Sequence, residues 1–84
     1  MEQKKVRMYT LSTCSHCKAT KKFFNELNVP YEFTDVDLLS GDEKLAIVEE
    51  VRKYNPRVSY PTILIGDRVI VGLKEDEIKE ALGL

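Results

Sequence analysis

Along this chain the spacing of apolar residues switches between alternation and helical recurrence, and that succession constrains the fold more than any other feature. Lys5 to Thr10 alternates Val6, Met8 and Thr10 against Lys5, Arg7 and Tyr9, the pattern of a strand. From Cys14 onward Ala19, Phe23, Phe24 and Leu27 recur at helical spacing until Asn28 and Pro30 close the segment. Ser12 and Thr13, just ahead of it, are residue types that cap helix N-termini. Tyr31 to Asp37 opens as a second strand with Tyr31 and Phe33 in alternation. Ser40-Gly41-Asp42 reads as turn and cap for a second helix carrying Leu45, Ala46, Ile47, Val48, Val51 and Tyr54, stopped by Asn55-Pro56. Two β-branched runs, Ile63 to Ile65 and Arg68 to Val71, flank Gly66-Asp67, a strong short-range hairpin signal. Gly72 ends the second run. A last helix opens near Glu75, with Glu75, Asp76 and Glu77 at its positive end and Ile78 and Leu82 on its apolar side.

The element order is therefore β-α-β-α-β-β-α, an α/β chain. Two strands joined through a helix lie parallel by a right-handed crossover, and the hairpin adds an antiparallel pair. The expected architecture is a four-stranded mixed sheet flanked by helices, one domain over residues 1–84. Phe23, Phe24, Leu27, Val48, Val51, Ile63 and Ile65 are the expected core, and Tyr9, Tyr31 and Tyr54 are packing aromatics with wet hydroxyls. A core this small holds roughly 3–5 kcal/mol of net stability. This architecture alone fixes no function.

Composition narrows the function classes. With 43% hydrophobic and 32% charged residues the chain is an ordinary globule, and two cysteines exclude a disulfide-dense scaffold. Thirteen Lys and Arg against fourteen Asp and Glu leave a formal charge of -1, with no basic excess for nucleic acid. No apolar run is long enough to cross a membrane, and Met1-Glu2-Gln3-Lys4-Lys5 leads into alternation rather than a signal-peptide stretch. The expectation is a cytoplasmic monomer. Charge is nevertheless blocked: residues 1–22 carry six basic side chains and one acidic, residues 23–50 eight acidic and one basic. Such blocks are solvated faces, or else an electropositive region around residues 14–22 that meets a partner.

The chemistry sits in Cys14-Ser15-His16-Cys17. If a helix starts near Cys14, the three-residue spacing puts both sulfurs on one face of its first turn, within reach of a disulfide. A helix N-terminus stabilises an anion, and the anion a cysteine offers is the thiolate, the nucleophile of disulfide exchange. Helix N-termini usually attract Asp or Glu, yet none lies between Cys14 and Asn25, and Lys18, Lys21 and Lys22 follow the pair instead. A structural zinc site wants four ligands, whereas this chain has no third cysteine and its single histidine lies between the two. Between a strand and a helix in a β-α-β context, such a pair reads as a redox motif.

Tyr9-Thr10-Leu11-Ser12-Thr13-Cys14-Ser15-His16-Cys17-Lys18, then Tyr60-Pro61-Thr62, then Gly72 ahead of an acidic helix, resembles the glutaredoxin family over nearly the whole chain. The resemblance implies the thioredoxin fold, Cys14 as attacking nucleophile and Cys17 as resolving thiol. It implies a cis Tyr60–Pro61 bond beside the cysteines, although a proline opening a strand is by itself an ordinary trans residue. It implies a substrate surface of Thr13, Ser15, His16, Tyr60, Pro61, Gly72, Leu73 and Lys74, with the Tyr60 backbone pairing to an extended peptide. No bound cofactor is implied. The partners would be disulfide-bearing proteins, with glutathione as co-substrate or thioredoxin reductase as reductant.

Three positions depart from the glutathione-using pattern. Leu11 stands where a lysine usually meets a glutathione carboxylate, Val71-Gly72 replaces paired glycines, and Lys74 stands where an acidic residue often holds the glutathione amine. Arg57 is an alternative carboxylate partner. The stretch Val71 to Asp76 is similar to glutaredoxin-like hydrogen donors of ribonucleotide reductase, which thioredoxin reductase recharges. Ser15-His16 replaces the family's common Pro-Tyr, so His16 is either a plain surface histidine or, when protonated, a stabiliser of the Cys14 thiolate. The rival from another class is a metal or iron–sulfur carrier in which two chains bridge a cluster through Cys14.

Overall fold

A computed structural model describes residues 4–84; Met1, Glu2 and Gln3, where the sequence was read for a signal-peptide stretch, lie outside the described residues. The elements are β1 (Val6–Thr10), α1 (Ser15–Glu26), β2 (Glu32–Asp35), a 3-10 turn (Val36–Leu38), α2 (Gly41–Tyr54), β3 (Thr62–Ile65), β4 (Arg68–Val71) and α3 (Glu75–Leu82). The four strands lie in the order β2-β1-β3-β4. β1 runs parallel to β2 with Met8 opposite Phe33, and antiparallel to β3 with Met8 opposite Ile63. β3 and β4 form the hairpin expected at Gly66-Asp67, with Ile65 opposite Arg68 and Gly66 at φ +57°.

Alternation along the strands sends side chains to two covered faces. On one face Val6, Met8, Ile63, Ile65 and Ile70 pack with Phe24 of α1 and Ile78 and Ala81 of α3. On the other, Tyr9 and Leu64 meet Val36 and Val51, with Ile47 and Val48 of α2 partly covering them. Because β3 is central and covered on both sides, all four of its residues are buried. Its unbroken apolar run, rather than alternation, is the sequence mark of that position.

Local reading and structure differ in places. The apolar stripe of α1 includes buried Thr20, while Ala19 is exposed. Thr20 tolerates burial because its hydroxyl donates to the His16 carbonyl at 2.7 Å, one turn back. Of the expected core, Phe24, Val51, Ile63 and Ile65 are buried; Phe23, Leu27 and Val48 are half-buried. Leu45 points to solvent at 66% exposure, because α2 lies on the sheet along a narrow stripe. The strand expected to Asp37 ends at Asp35, since Val36 turns into the core and opens the 3-10 turn. Tyr9 is only 3% exposed and its hydroxyl is not wet: Arg7 Nη2 donates to it at 3.4 Å, and burial with the Glu50 hydrogen bond pushes the phenol up to about 12. Asn28 closes α1 as expected, at φ +56°, with the Val29 N–H returning to the Phe24 carbonyl at 3.0 Å.

Candidate active site

The cysteine pair sits where β1 hands over to α1. Cys14 is the N-cap of α1, and its own sulfur accepts the Cys17 N–H at 3.2 Å. The capping role offered by Ser12 and Thr13 is thus taken by the cysteine, which places an N–H donor and the positive helix end on one sulfur. An amide aimed at sulfur steadies negative charge there.

Ser12 is used differently. Its N–H donates to Asp37 Oδ1 at 2.8 Å and its hydroxyl to Asp37 Oδ2 at 2.5 Å, so one carboxylate just past the neighbouring strand β2 pins the loop. The Ser12 hydroxyl and N–H hold the Asp37 carboxyl below the usual carboxylate range. Cys14 N–H returns to the Leu11 carbonyl at 3.2 Å and closes the turn.

The two thiols are unlike. Cys14 is half-buried, whereas Cys17 is fully buried. Burial, and then the Cys14 hydrogen bond, push the Cys17 thiol up to about 12, with the Lys21 charge and a Leu11 backbone contact acting in the opposite sense. One sulfur is reachable and the other is held neutral behind it.

The opposite wall comes from the segment before β3. The Tyr60–Pro61 peptide is cis, as the resemblance implies and the residues alone did not. Asn55 anchors this segment: its amide donates to the Ser59 carbonyl at 3.1 Å, the Ser59 hydroxyl at 2.9 Å and Thr62 Oγ1 at 3.2 Å. Thr62 in turn donates to the Ser59 carbonyl at 2.8 Å. Val58 adopts φ +50°, unusual for a β-branched residue, and its N–H is held by the Asn55 carbonyl at 2.8 Å. Tyr60 is half-buried, and its phenol is raised by burial and by the neighbouring Cys17. The Gly72 N–H donates to the Pro61 carbonyl at 2.9 Å, and its φ of +87° suits glycine. The loop after β4 is thereby tied to the cis proline.

The other expected site residues scatter around this centre. Thr13, Ser15 and His16 are exposed at the turn and first residues of α1. Leu73 is half-buried against the α1 and α3 core. Lys74 is the exposed N-cap of α3, with Nζ 3.7 Å from Glu77. Lys18 and Lys22 are exposed, but Lys21 folds back 3.3 Å from Asp35. Asp37 and Asn55 escaped the sequence reading. Asn55 was visible only as a helix stop, and Asp37 only as the end of a strand, because their partners come from other elements. Among the described residues no three His, Cys, Asp or Glu side chains converge as a metal cradle.

A mixed sheet covered by helices on both faces, with a cysteine pair at the first turn of α1, defines a redox-type α/β protein of the thioredoxin fold. The family model described as Glutaredoxin matches residues 6–70, and the chain belongs to the glutaredoxin family. The crystal structure of methanoredoxin from Methanosarcina acetivorans is 46% identical, covers 98% of this chain and 87% of its own, and superposes with a TM-score of 0.91. An uncharacterized glutaredoxin-like 8.6 kDa protein in the rubredoxin operon of Clostridium pasteurianum is 29% identical, over 92% of this chain and 96% of its own. NrdH-redoxin from Escherichia coli, a glutaredoxin-like protein with a thioredoxin-like activity profile, is 25% identical with a TM-score of 0.75. That match covers 90% of this chain and 92% of the NrdH-redoxin chain. No helix among the described residues is long and apolar enough to cross a membrane.

Proposed function

We propose that this protein is a thiol–disulfide oxidoreductase that reduces disulfides of protein substrates by a dithiol mechanism. The observation that carries the reading is the asymmetry of the pair: Cys14 is a partly accessible N-cap sulfur receiving an N–H, and Cys17 is buried one turn inside. The Cys14 thiolate attacks a substrate disulfide, forming the Cys14–substrate bond and expelling one substrate thiolate. Cys17 then gives up its proton and attacks Cys14. The Cys14–Cys17 bond forms, the second substrate thiolate leaves with the electron pair, and protons from Cys17 and solvent neutralise the thiolates. The substrate gains two electrons and the protein loses two.

The exposed residues Thr13, Ser15 and His16, with Tyr60, Pro61, Gly72, Leu73 and Lys74, form the proposed substrate surface. Electrons return from glutathione or from thioredoxin reductase, in a reducing compartment such as the cytoplasm. Leu11 and the Glu77-paired Lys74 withhold two of the charges a glutathione site uses, which supports the reductase. The deciding experiment traps the intermediate. Cys17→Ser accumulates a mixed disulfide with a protein substrate, and Cys14→Ser is inactive; full dithiol activity in Cys14→Ser overturns the assignment. Recharging the oxidised protein with NADPH, glutathione and glutathione reductase, and separately with NADPH and thioredoxin reductase, identifies the electron source.

A further inference from the structure

Six ion pairs are found among the described residues, and five lie at the surface with side chains 38–77% exposed. The sixth differs. Lys21 Nζ lies 3.3 Å from Asp35 Oδ1, with side chains only 21% and 15% exposed. The same carboxylate oxygen accepts the hydroxyl of Thr10 at 2.5 Å, and Thr10 is fully buried. The ammonium also sits 3.8 Å from the centroid of the Phe33 ring. A long, flexible side chain is therefore held by β1 and β2 together.

Lys21 follows Cys17 by four residues, which places it one turn on along the same face of α1. Cys17 is the group that needs such a neighbour. It is fully buried, and in the proposed mechanism it must become an anion before it can attack. Cys14, the Leu11 backbone and Lys21 act on the charge of its sulfur, the Tyr60 phenol from the segment before β3 feels that charge in turn, and Asp35 of β2 pairs with Lys21. Lys21 is the only cation in this set.

We propose that Lys21, locked in place by Asp35, Thr10 and Phe33, is a positioning residue whose fixed charge favours the Cys17 thiolate in the second, resolving step. The proposal rests on Cys14 as attacking and Cys17 as resolving thiol. It separates the two halves of the reaction: Lys21 acts on resolution and not on the first attack. The step needs no added component. The proton released by Cys17 is balanced by one taken up by the departing substrate thiolate, and the disulfide forms at the expense of the Cys14–substrate bond.

The test uses 5,5′-dithiobis(2-nitrobenzoate) on the reduced full chain. Attack by Cys14 releases a first coloured thiolate, and attack by Cys17 on the resulting mixed disulfide releases a second. Lys21→Met is expected to leave the first phase unchanged and to slow the second by about threefold at neutral pH. A tenfold loss of thiolate per unit rise in pKa, offset by the greater nucleophilicity of the more basic thiolate, gives that factor. The midpoint of the second phase against pH moves upward, and Lys21→Arg restores both rate and midpoint. The double variant Lys21→Met, Asp35→Asn leaves no unpaired carboxylate and is expected to show the same selective slowing. An unchanged second phase in both variants, or equal slowing of both phases, overturns the proposal. A wild-type protein lacking the first phase instead overturns Cys14 as nucleophile, a distinct failure.

Discussion

The two faces of the sheet are built differently. On the α1 and α3 face, eight side chains from three strands and two helices form a closed apolar cluster, with Phe24, Ile63, Ile65 and Ile78 fully buried. On the α2 face the buried apolar cluster has only Tyr9, Val36, Val51 and Leu64, Val51 being the single buried residue of α2. There the polar side chains take over: Arg7 reaches Tyr9 and Glu50, and Asn55 ties α2 to Ser59 and Thr62. One face supplies stability while the other supplies placement. The cis proline and Cys17's neighbour Tyr60 hang from the second, so the reactive end of the molecule depends on directional bonds rather than on area.

The largest expected effect falls on the α1 and α3 face. Phe24→Ala should cost about 3–5 kcal/mol, comparable to the whole stability of a domain this size. Leu45→Ala on the thinly packed helix should stay within about 0.5 kcal/mol. Urea titrations followed by circular dichroism compare the two, and equal losses would erase the distinction between the faces.

Next comes alkali. Burial pushes the Cys17 thiol up to about 12 in the folded protein, against 9.0 for the free group. Between those values the unfolded chain binds fewer protons, so stability falls as pH rises, by up to roughly 1.4 kcal/mol per unit for one thiol. The oxidised protein has no Cys17 proton to lose. Its thermal midpoint should therefore fall less than that of the reduced form between pH 9 and pH 11, which calorimetry on both forms measures.

Asn55→Ala probes the α2 face. It removes a nearly buried amide with three acceptors, at an expected cost of about 1–3 kcal/mol. The disulfide-exchange rate should fall with it, because the Tyr60–Pro61 wall loses its anchor. Loss of stability with unaltered exchange would deny the α2 face its placing role.

The smallest effect concerns Asp37. Its carboxyl is held low by Ser12, so this contribution is present above the free value of 3.8 and fades as pH falls through the lower folded value. In Ser12→Ala, both the hydroxyl donor and its hold on the loop are gone, and the Asp37 carbon resonance should titrate at higher pH. An unmoved titration would mean that the loop is pinned from elsewhere.

Much of this was legible along the chain. The alternation of Val6 to Thr10, the β-branched runs around Gly66-Asp67 and the stop at Asn28 are local patterns, and local conformational preference decides them. The spacing of Cys14 and Cys17 likewise carries its own geometry once a helix starts there. Thr20 misled the reading because a hydroxyl bonded one turn back behaves as a core residue. Lys21 stood out only as one of three lysines after the pair, and Asp37 and Asn55 only as the ends of a strand and a helix, since their partners come from other elements.

What the sequence determined by itself, then, is the succession of elements, the hairpin and the identity and spacing of the reactive pair. These depend on interactions between residues a few positions apart. Only the tertiary structure decided which sulfur is reachable, which is held neutral, and what surrounds them. Thr10 meets Asp35, and Ser12 meets Asp37, across 25 positions of chain, and Lys21 meets Asp35 across 14. Such contacts exist only after the β1–α1–β2 crossover brings β2 alongside β1. Burial and charge at a thiol are sums over neighbours in space, and neighbours in space are what a linear pattern does not carry.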